Sequence, residues 1–222
     1  MKQKKALILG NGKLPGKNTI KYLISQGYDF IIAADGGANI AYKLGLLPDL
    51  VIGDFDSILP EIREYYSELT EVKYVKRQTD TDIEKAIKYA IAKKFDEAIL
   101  LGASGDRLDH SFCNIGNILK YKGKIDVALL HEKTIAFVYD KPVCFPTEKG
   151  ETISLYGIDD KTLITTRGLK FPLKKEPLPF GIRGGTSNEA VSDEVCLEIE
   201  NGKIIVMREF KIVRKNAFLI SR

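Results

Sequence analysis

Through roughly the first 120 residues, short continuous apolar runs alternate with amphipathic stretches. Residues 6–9, 30–34, 50–52 and 98–101 are apolar throughout and bounded by glycine or charge, the pattern of strands buried on both faces. Helical spacing fills the intervals, over 19–26, from 38 to a stop at Gly45 and Pro48, and over about 109–121. The clearest helix is predicted over 81–94. There Ile83, Ala86, Ile87, Ala90 and Ile91 recur on one face, and Thr81 with Glu84 forms a capping box. Strands alternating with helices predict an α/β unit with a mostly parallel sheet and flanking helices.

Beyond Lys124 the texture changes. Residues 127–130, 134–139, 152–156, 195–199 and 203–207 are short strand-like runs separated by turn residues, and Asn201-Gly202 is a hairpin signal. No helical periodicity stands out, so this half is expected to be a smaller all-β antiparallel sandwich. The expected domains are 1–124 and 125–222, with the boundary falling near 122–131.

Composition narrows the class. With 222 residues, 44% hydrophobic and 29% charged, the chain suits a two-unit globular protein. A net charge of +4 from 34 basic and 30 acidic residues is too balanced for a nucleic-acid surface, though it suits a small anionic substrate. The basic start is followed by an apolar stretch too short for a secretory signal, and no run reaches membrane-spanning length. Cys113, Cys144 and Cys196 are far apart, without metal-ligand spacing, and read as reduced structural thiols. A cytoplasmic protein without membrane or nucleic-acid partners is expected.

Candidate chemistry follows the strands. Gly53-Asp54-Phe55-Asp56-Ser57 comes after the third, and a persisting pleat would put Asp54 and Asp56 on one side of the chain. Paired carboxylates suit Mg²⁺ and phosphates, although an acidic turn capping a helix through Ile58-Leu59 would use the same residues. Asp35-Gly36-Gly37 follows the second strand, and Gly102 to His110, containing Ser104, Arg107 and Asp109, follows the run at 98–101. Parallel strands bring such ends to one edge, and backbone amides at a helix N-terminus beside an arginine suit phosphate. Thr79-Asp80-Thr81-Asp82 carries more cap-type residues than one helix needs, leaving a carboxylate such as Asp80 for metal or phosphate. His110 reads as a hydrogen-bonded structural residue or a base. The chain lacks a Ser/His/Asp order, a Cys/His pairing, zinc spacing and a Walker loop, which leaves phosphoryl-type transfer.

In order and spacing, Asp35-Gly36-Gly37-Ala38-Asn39, Gly53-Asp54-Phe55-Asp56-Ser57, Thr79-Asp80-Thr81-Asp82, Gly105-Asp106-Arg107-Leu108-Asp109-His110 and Thr186-Ser187-Asn188-Glu189 resemble thiamine pyrophosphokinases. The resemblance implies pyrophosphoryl transfer from ATP to thiamine, giving thiamine diphosphate and AMP, with Mg²⁺. It implies a homodimer whose sites lie between the α/β domain of one subunit and the β-domain of the other. By matching position, Asp54, Asp56 and Asp80 would hold the metal and ATP phosphates, with Asp54 or Asp80 as proton acceptor. Asp35, Gly36 and Gly37 would border the nucleotide, Ser104, Arg107 and Asp109 would bind ATP, and Ser187 and Asn188 the thiamine pyrimidine. Arg77 and Asp106 depart from the family pattern, and with no tryptophan any stacking on thiamine falls to Phe or Tyr, such as Phe180. Two rivals are a haloacid-dehalogenase-type phosphatase, built on Asp54-Phe55-Asp56, and a non-catalytic nucleotide or thiamine sensor.

Overall fold

A computed structural model describes residues 3–76, 79–105 and 107–216. It divides into two compact units, Met1–Glu132 and Lys133–Arg222. The first contains β1 (Lys5–Leu9), α1 (Lys17–Ser25), β2 (Phe30–Ala34), α2 (Gly37–Leu44), β3 (Leu50–Gly53), α3 (Pro60–Ser67), β4 (Glu71–Tyr74), α4 (Asp82–Ala92), β5 (Glu97–Leu101), α5 (Leu108–Tyr121) and β6 (Asp126–His131). Its strands lie in the order β6-β5-β1-β2-β3-β4, and every pairing is parallel. All residues of β3 and β5 are buried, as their uniform hydrophobicity requires of strands covered on both faces.

The order has a consequence for function. The chain runs outward from β1 through β2 and β3 to β4, then returns to lay β5 on the other side of β1. The connections leaving β1 and β5 therefore diverge, and the gap between their carboxyl ends is the place where such sheets hold ligands.

The boundary between units comes after Glu132, not after Lys124. Residues 126–131 account for the difference. This strand, expected in the second domain, pairs in parallel register with β5, from Glu97 opposite Asp126 to Leu101 opposite Leu130. Its apolar run resembles the antiparallel strands that follow, and sequence alone does not carry pairing direction. The interval between β3 and α4 also has more structure than its hydrophobicity suggests. Pro60 opens α3 at the first helical position, where its missing N–H costs nothing. Beyond it β4 is an edge strand whose residues stay largely exposed.

The second unit contains β7 (Thr134–Tyr139), β8 (Val143–Pro146), β9 (Thr152–Gly157), β10 (Leu163–Arg167), β11 (Gly185–Glu189), β12 (Glu194–Glu200), β13 (Ile204–Glu209) and α6 (Phe210–Lys215). Within it, β11-β9-β13-β7 form one antiparallel set and β10-β12-β8 another. Alternating burial along β9 and β12 marks their inner faces. Asn201-Gly202 is not a hairpin turn, since β12 pairs with β10 and β8 while β13 pairs with β7 and β9. With Asn201 at φ 62°, it carries the chain from one sheet to the other.

The thiol expectation is overturned in this unit. Cys144 and Cys196 are register partners across β8 and β12 and form a disulfide, leaving Cys113 free and exposed. A separation of 52 residues hid a pair that only strand pairing brings together. Titration of the native, unreduced protein with a thiol reagent should therefore count one reactive cysteine, rising to three after reduction and unfolding. Three reactive thiols in the native protein would contradict the bond.

Candidate active site

A cavity of about 390 Å³ opens at the carboxyl ends of β1, β2 and β5, at the switch point. Its walls come from Gly10-Asn11-Gly12 after β1, Asp35 and Gly36 after β2, Gly102 to Gly105 after β5, and the first turns of α4 and α5. The β1 and β5 loops cross so closely that a Cβ on Gly10 or Gly12 would lie 2.6 or 2.7 Å from the Gly102 carbonyl oxygen. Gly102 itself has φ +61°, which few other residues tolerate. Gly37, expected at the nucleotide's edge, begins α2 and packs its bare Cα on the Leu9 carbonyl.

Asp35 is buried at φ 43°, and its carboxylate accepts hydrogen bonds from the Ser57 and Ile58 amides at 3.0 and 3.1 Å. These bonds tie the β2 loop to the β3 loop. Burial, together with neighbouring Asp56, pushes Asp35 up to about 6. The Ser57 hydroxyl, together with Asp35, holds Asp56 below the usual carboxylate range. The pleat does not continue past β3. Phe55 takes φ 63°, which leaves Asp54 half-buried and Asp56 exposed, and both carboxylates stay beside Asp35.

Lys85 lies between Asp54 and Asp82. Its ammonium donates to Asp54 Oδ2 and Asp82 Oδ1, each at 2.8 Å, and only 2% of its side chain is exposed. Burial alone would lower this lysine, but the bonds to Asp54 and Asp82 outweigh it and hold it above its ordinary value. Among the described residues, Asp35, Asp54 and Asp82 can bring one carboxylate oxygen each within 4.8 Å of the others. Asp54 Oδ1 is buried without a hydrogen-bond partner. An orphaned oxygen in a cluster of three carboxylates is a donor set that fits a hard divalent cation.

Asp80 is not in that group. Its carboxylate lies 2.7 Å from the Lys88 ammonium, whereas Asp82, at the first position of α4, faces Asp54. Thr81 is the cap, accepting the Glu84 amide at 3.3 Å. The Glu84 side chain does not complete a capping box but accepts from Lys120 and Tyr121 of α5 at 2.6 Å each. Asp82 and Lys85 were missed in the sequence, although a lysine on the buried face of an amphipathic helix, three residues after an aspartate, is a readable signal.

Ser104 lines the cavity and hydrogen-bonds His131 Nδ1 at 2.9 Å. Arg107 also lines it, but its guanidinium grips Asp109, with Nε 3.0 Å from Oδ1. That pairing holds the exposed Asp109 carboxyl well below its ordinary value. His110 is exposed at the cavity wall rather than buried in a network. Asn114 is buried, and its amide donates to the Ala103 carbonyl at 2.7 Å, fixing the β5 loop from α5. Arg77 and Asp106 lie outside the described residues.

In the second unit Ser187 and Asn188 line a separate cavity of about 210 Å³ with Leu155, Phe171 and Leu178. Ser187 has φ 58°, and its amide donates to Ser154 Oγ at 3.0 Å. The Asn188 side chain is committed to backbone. It accepts from the Phe171 amide at 3.1 Å and donates to the Phe171 carbonyl at 2.8 Å. Phe171, Phe180 and Ile182 are strongly exposed around this region.

Neither rival gains from this geometry. The first strand ends in Gly10-Asn11-Gly12 rather than a carboxylate pair, and the carboxylates a sensor would have lost are present. Comparison with known proteins points the same way. The family model described as thiamin pyrophosphokinase, catalytic domain, matches residues 22–129, and thiamin pyrophosphokinase, vitamin B1 binding domain, matches 141–204. The thiamine pyrophosphokinase of Bacillus subtilis (strain 168) is 29% identical over 188 residues, spanning 80% of this chain and 86% of its own. Thiamine pyrophosphokinase 3 of Oryza sativa subsp. japonica is 29% identical over 204 residues, spanning 79% and 76%. In fold, the chain matches a Bacillus subtilis thiamine pyrophosphokinase structure with TM-score 0.79, at 22% identity over 93% of this chain and 99% of that one. It matches the thiamin pyrophosphokinase from Candida albicans with TM-score 0.80, at 19% identity over 93% and 89%. Two family models in the order of the two units, over a glycine-walled cavity with grouped carboxylates, place this chain in the thiamin pyrophosphokinase family.

Proposed function

We propose that the protein transfers the pyrophosphoryl group of ATP to the hydroxyl of thiamine, with Mg²⁺, at the switch-point cavity. The observation that carries the reading is the Asp35, Asp54 and Asp82 group, with its orphaned oxygen, beside a cavity walled by glycine loops. These three carboxylates would hold Mg²⁺, which when bound neutralises phosphate charge and orients the polyphosphate. The thiamine oxygen bonds to the β-phosphorus as the α–β bridging oxygen leaves with AMP. The protein's task is in-line positioning and charge cancellation, with little covalent chemistry of its own. Arg107 supplies positive charge at the wall, and Asp109, paired with it, orients the guanidinium. Both candidate proton acceptors carry a lysine, Asp54 from Lys85 and Asp80 from Lys88, and Asp54 is the better placed because its second oxygen is unpartnered within the carboxylate group.

Ser187 and Asn188 shape the thiamine side. With its amide bound to Phe171, Asn188 acts there by setting the cavity wall. Exposed Phe171 at this cavity, with exposed Phe180 and Ile182 in the segment between its lining residues Leu178 and Arg183, supports a homodimer in which the β-unit of one subunit completes the site of its partner. Dependence on ATP favours the cytoplasm, and among the described residues no helix is long and apolar enough to cross a membrane.

A product assay with ATP, Mg²⁺ and thiamine, resolving AMP from ADP, tests the reading. Thiamine diphosphate and AMP in equal amounts are expected. ADP with thiamine monophosphate would refute pyrophosphoryl transfer, and phosphate release from simple phosphomonoesters without thiamine turnover would favour the phosphatase.

A further inference from the structure

The parallel sheet has a second groove at the opposite edge. Lys5, Phe30 and Glu97 begin β1, β2 and β5, so their amino ends share the edge farthest from the catalytic loops. A groove of about 600 Å³ opens there, in the size range of small-molecule sites. Phe30 and Phe95, half-buried with ring centroids 5.0 Å apart, form part of its wall, and Tyr89 contributes a third ring.

Its charge is sorted. Lys5 is neutralised from behind by buried Glu97 at 3.2 Å and lies 5.0 Å over the Tyr28 ring. Lys4 and Lys93 also line the groove, and among the described residues neither ammonium has a carboxylate within ion-pair distance. Lys93 instead sits 5.6 Å over the Tyr89 ring. Against these stands one lining carboxylate, exposed Asp29; nearby Asp96 accepts the Lys4 main-chain amide at 2.8 Å. Two available ammonium groups, that of Lys93 over a ring, in a groove partly walled by aromatic side chains complement a flat ring bearing a compact negative charge. The ring would stack and the anion would take the lysines.

We propose that this groove is a second ligand site, for a planar aromatic compound carrying a phosphate, separate from the catalytic cavity. It holds whichever reaction that cavity performs. Adenosine monophosphate, adenosine and inorganic phosphate are suitable probes, titrated into the isotope-labelled full chain with amide chemical shifts as readout. Gly27, Asp29 and Phe95 report the groove, while Gly36, Ser104 and Gly105 report the catalytic cavity. Adenosine monophosphate should shift the groove amides saturably, and adenosine or phosphate alone should bind there at least about tenfold more weakly. In a Lys4→Glu/Lys93→Glu variant, both substitutions being on exposed residues, groove affinity should fall by about tenfold or more. The catalytic-cavity amides should titrate as before. No saturable groove shift at millimolar adenosine monophosphate, an unchanged groove affinity in the variant, or equal binding of phosphate alone would each overturn the proposal.

Discussion

Asp54→Asn is expected to lower thiamine-dependent AMP formation by about 10³-fold, while Asp80→Asn lowers it only a few-fold. The contrast follows from what each carboxylate touches. Asp54 has one oxygen on the Lys85 ammonium and the other buried without a partner, within 4.8 Å of donors from Asp35 and Asp82. Asparagine keeps the shape and can still accept from Lys85, but it removes a negative charge where the proposed Mg²⁺ would be held. Asp80 spends its carboxylate on Lys88, so its loss perturbs the start of α4 more than the cavity. Steady-state rates across a Mg²⁺ titration would measure both variants. Thermal melts supply a readout independent of turnover: Mg²⁺ should raise the melting temperature of the native protein and of Asp80→Asn, but much less that of Asp54→Asn. A larger loss in Asp80→Asn than in Asp54→Asn would restore Asp80 as the ligand and overturn the grouping by Asp82.

The sequence was most informative where one physical rule dominated. Uniformly apolar 6–9, 30–34, 50–52 and 98–101 became buried parallel strands, because only strands covered on both faces need such runs. Thr81 was readable as a cap, and Gly45 as a left-handed helix stop. Elements stabilised mainly by tertiary neighbours were not legible. Glu-Val-Lys-Tyr of β4 is an exposed edge strand, and polar Gly185–Glu189 is β11, paired with β9 across an irregular register. The site divides along the same line. Parallel topology made it possible to expect that Asp35, the Asp54 loop and the Ser104 loop would meet. Which carboxylate of Thr79-Asp80-Thr81-Asp82 turns toward Asp54 depends on the helix starting at Asp82, and helix starts are uncertain by a residue or two. The disulfide depended on β8, a strand too short to read in advance.

In the second unit, Arg208→Ala should destabilise the fold by about 3–5 kcal/mol, enough to threaten folding of a marginally stable domain. Arg208 sits on β13 with 4% of its side chain exposed, and its partner Glu151 has none exposed. The guanidinium donates through Nε to Glu151 Oε1 at 2.8 Å and through Nη2 to Oε2 at 2.9 Å. It also reaches the Pro146 carbonyl at 2.7 Å and lies 4.3 Å over the Phe145 ring. Truncating the arginine leaves the Glu151 carboxylate buried without its counterion and removes packing from Phe145. Desolvation, rather than the lost attraction, makes up most of the expected cost. That reasoning separates two variants. Arg208→Met alone should remain strongly destabilised, because the charge is still stranded, whereas Arg208→Met/Glu151→Leu should recover at least half the loss by removing both charges while keeping volume. Urea unfolding of the native protein and the three variants would measure this, with equal slopes as the check that the unfolded states compare. If the double variant is no more stable than Arg208→Met, the stranded charge is not the cause. The role of Arg208 would then lie in its bonds to the Pro146 carbonyl and its packing on Phe145.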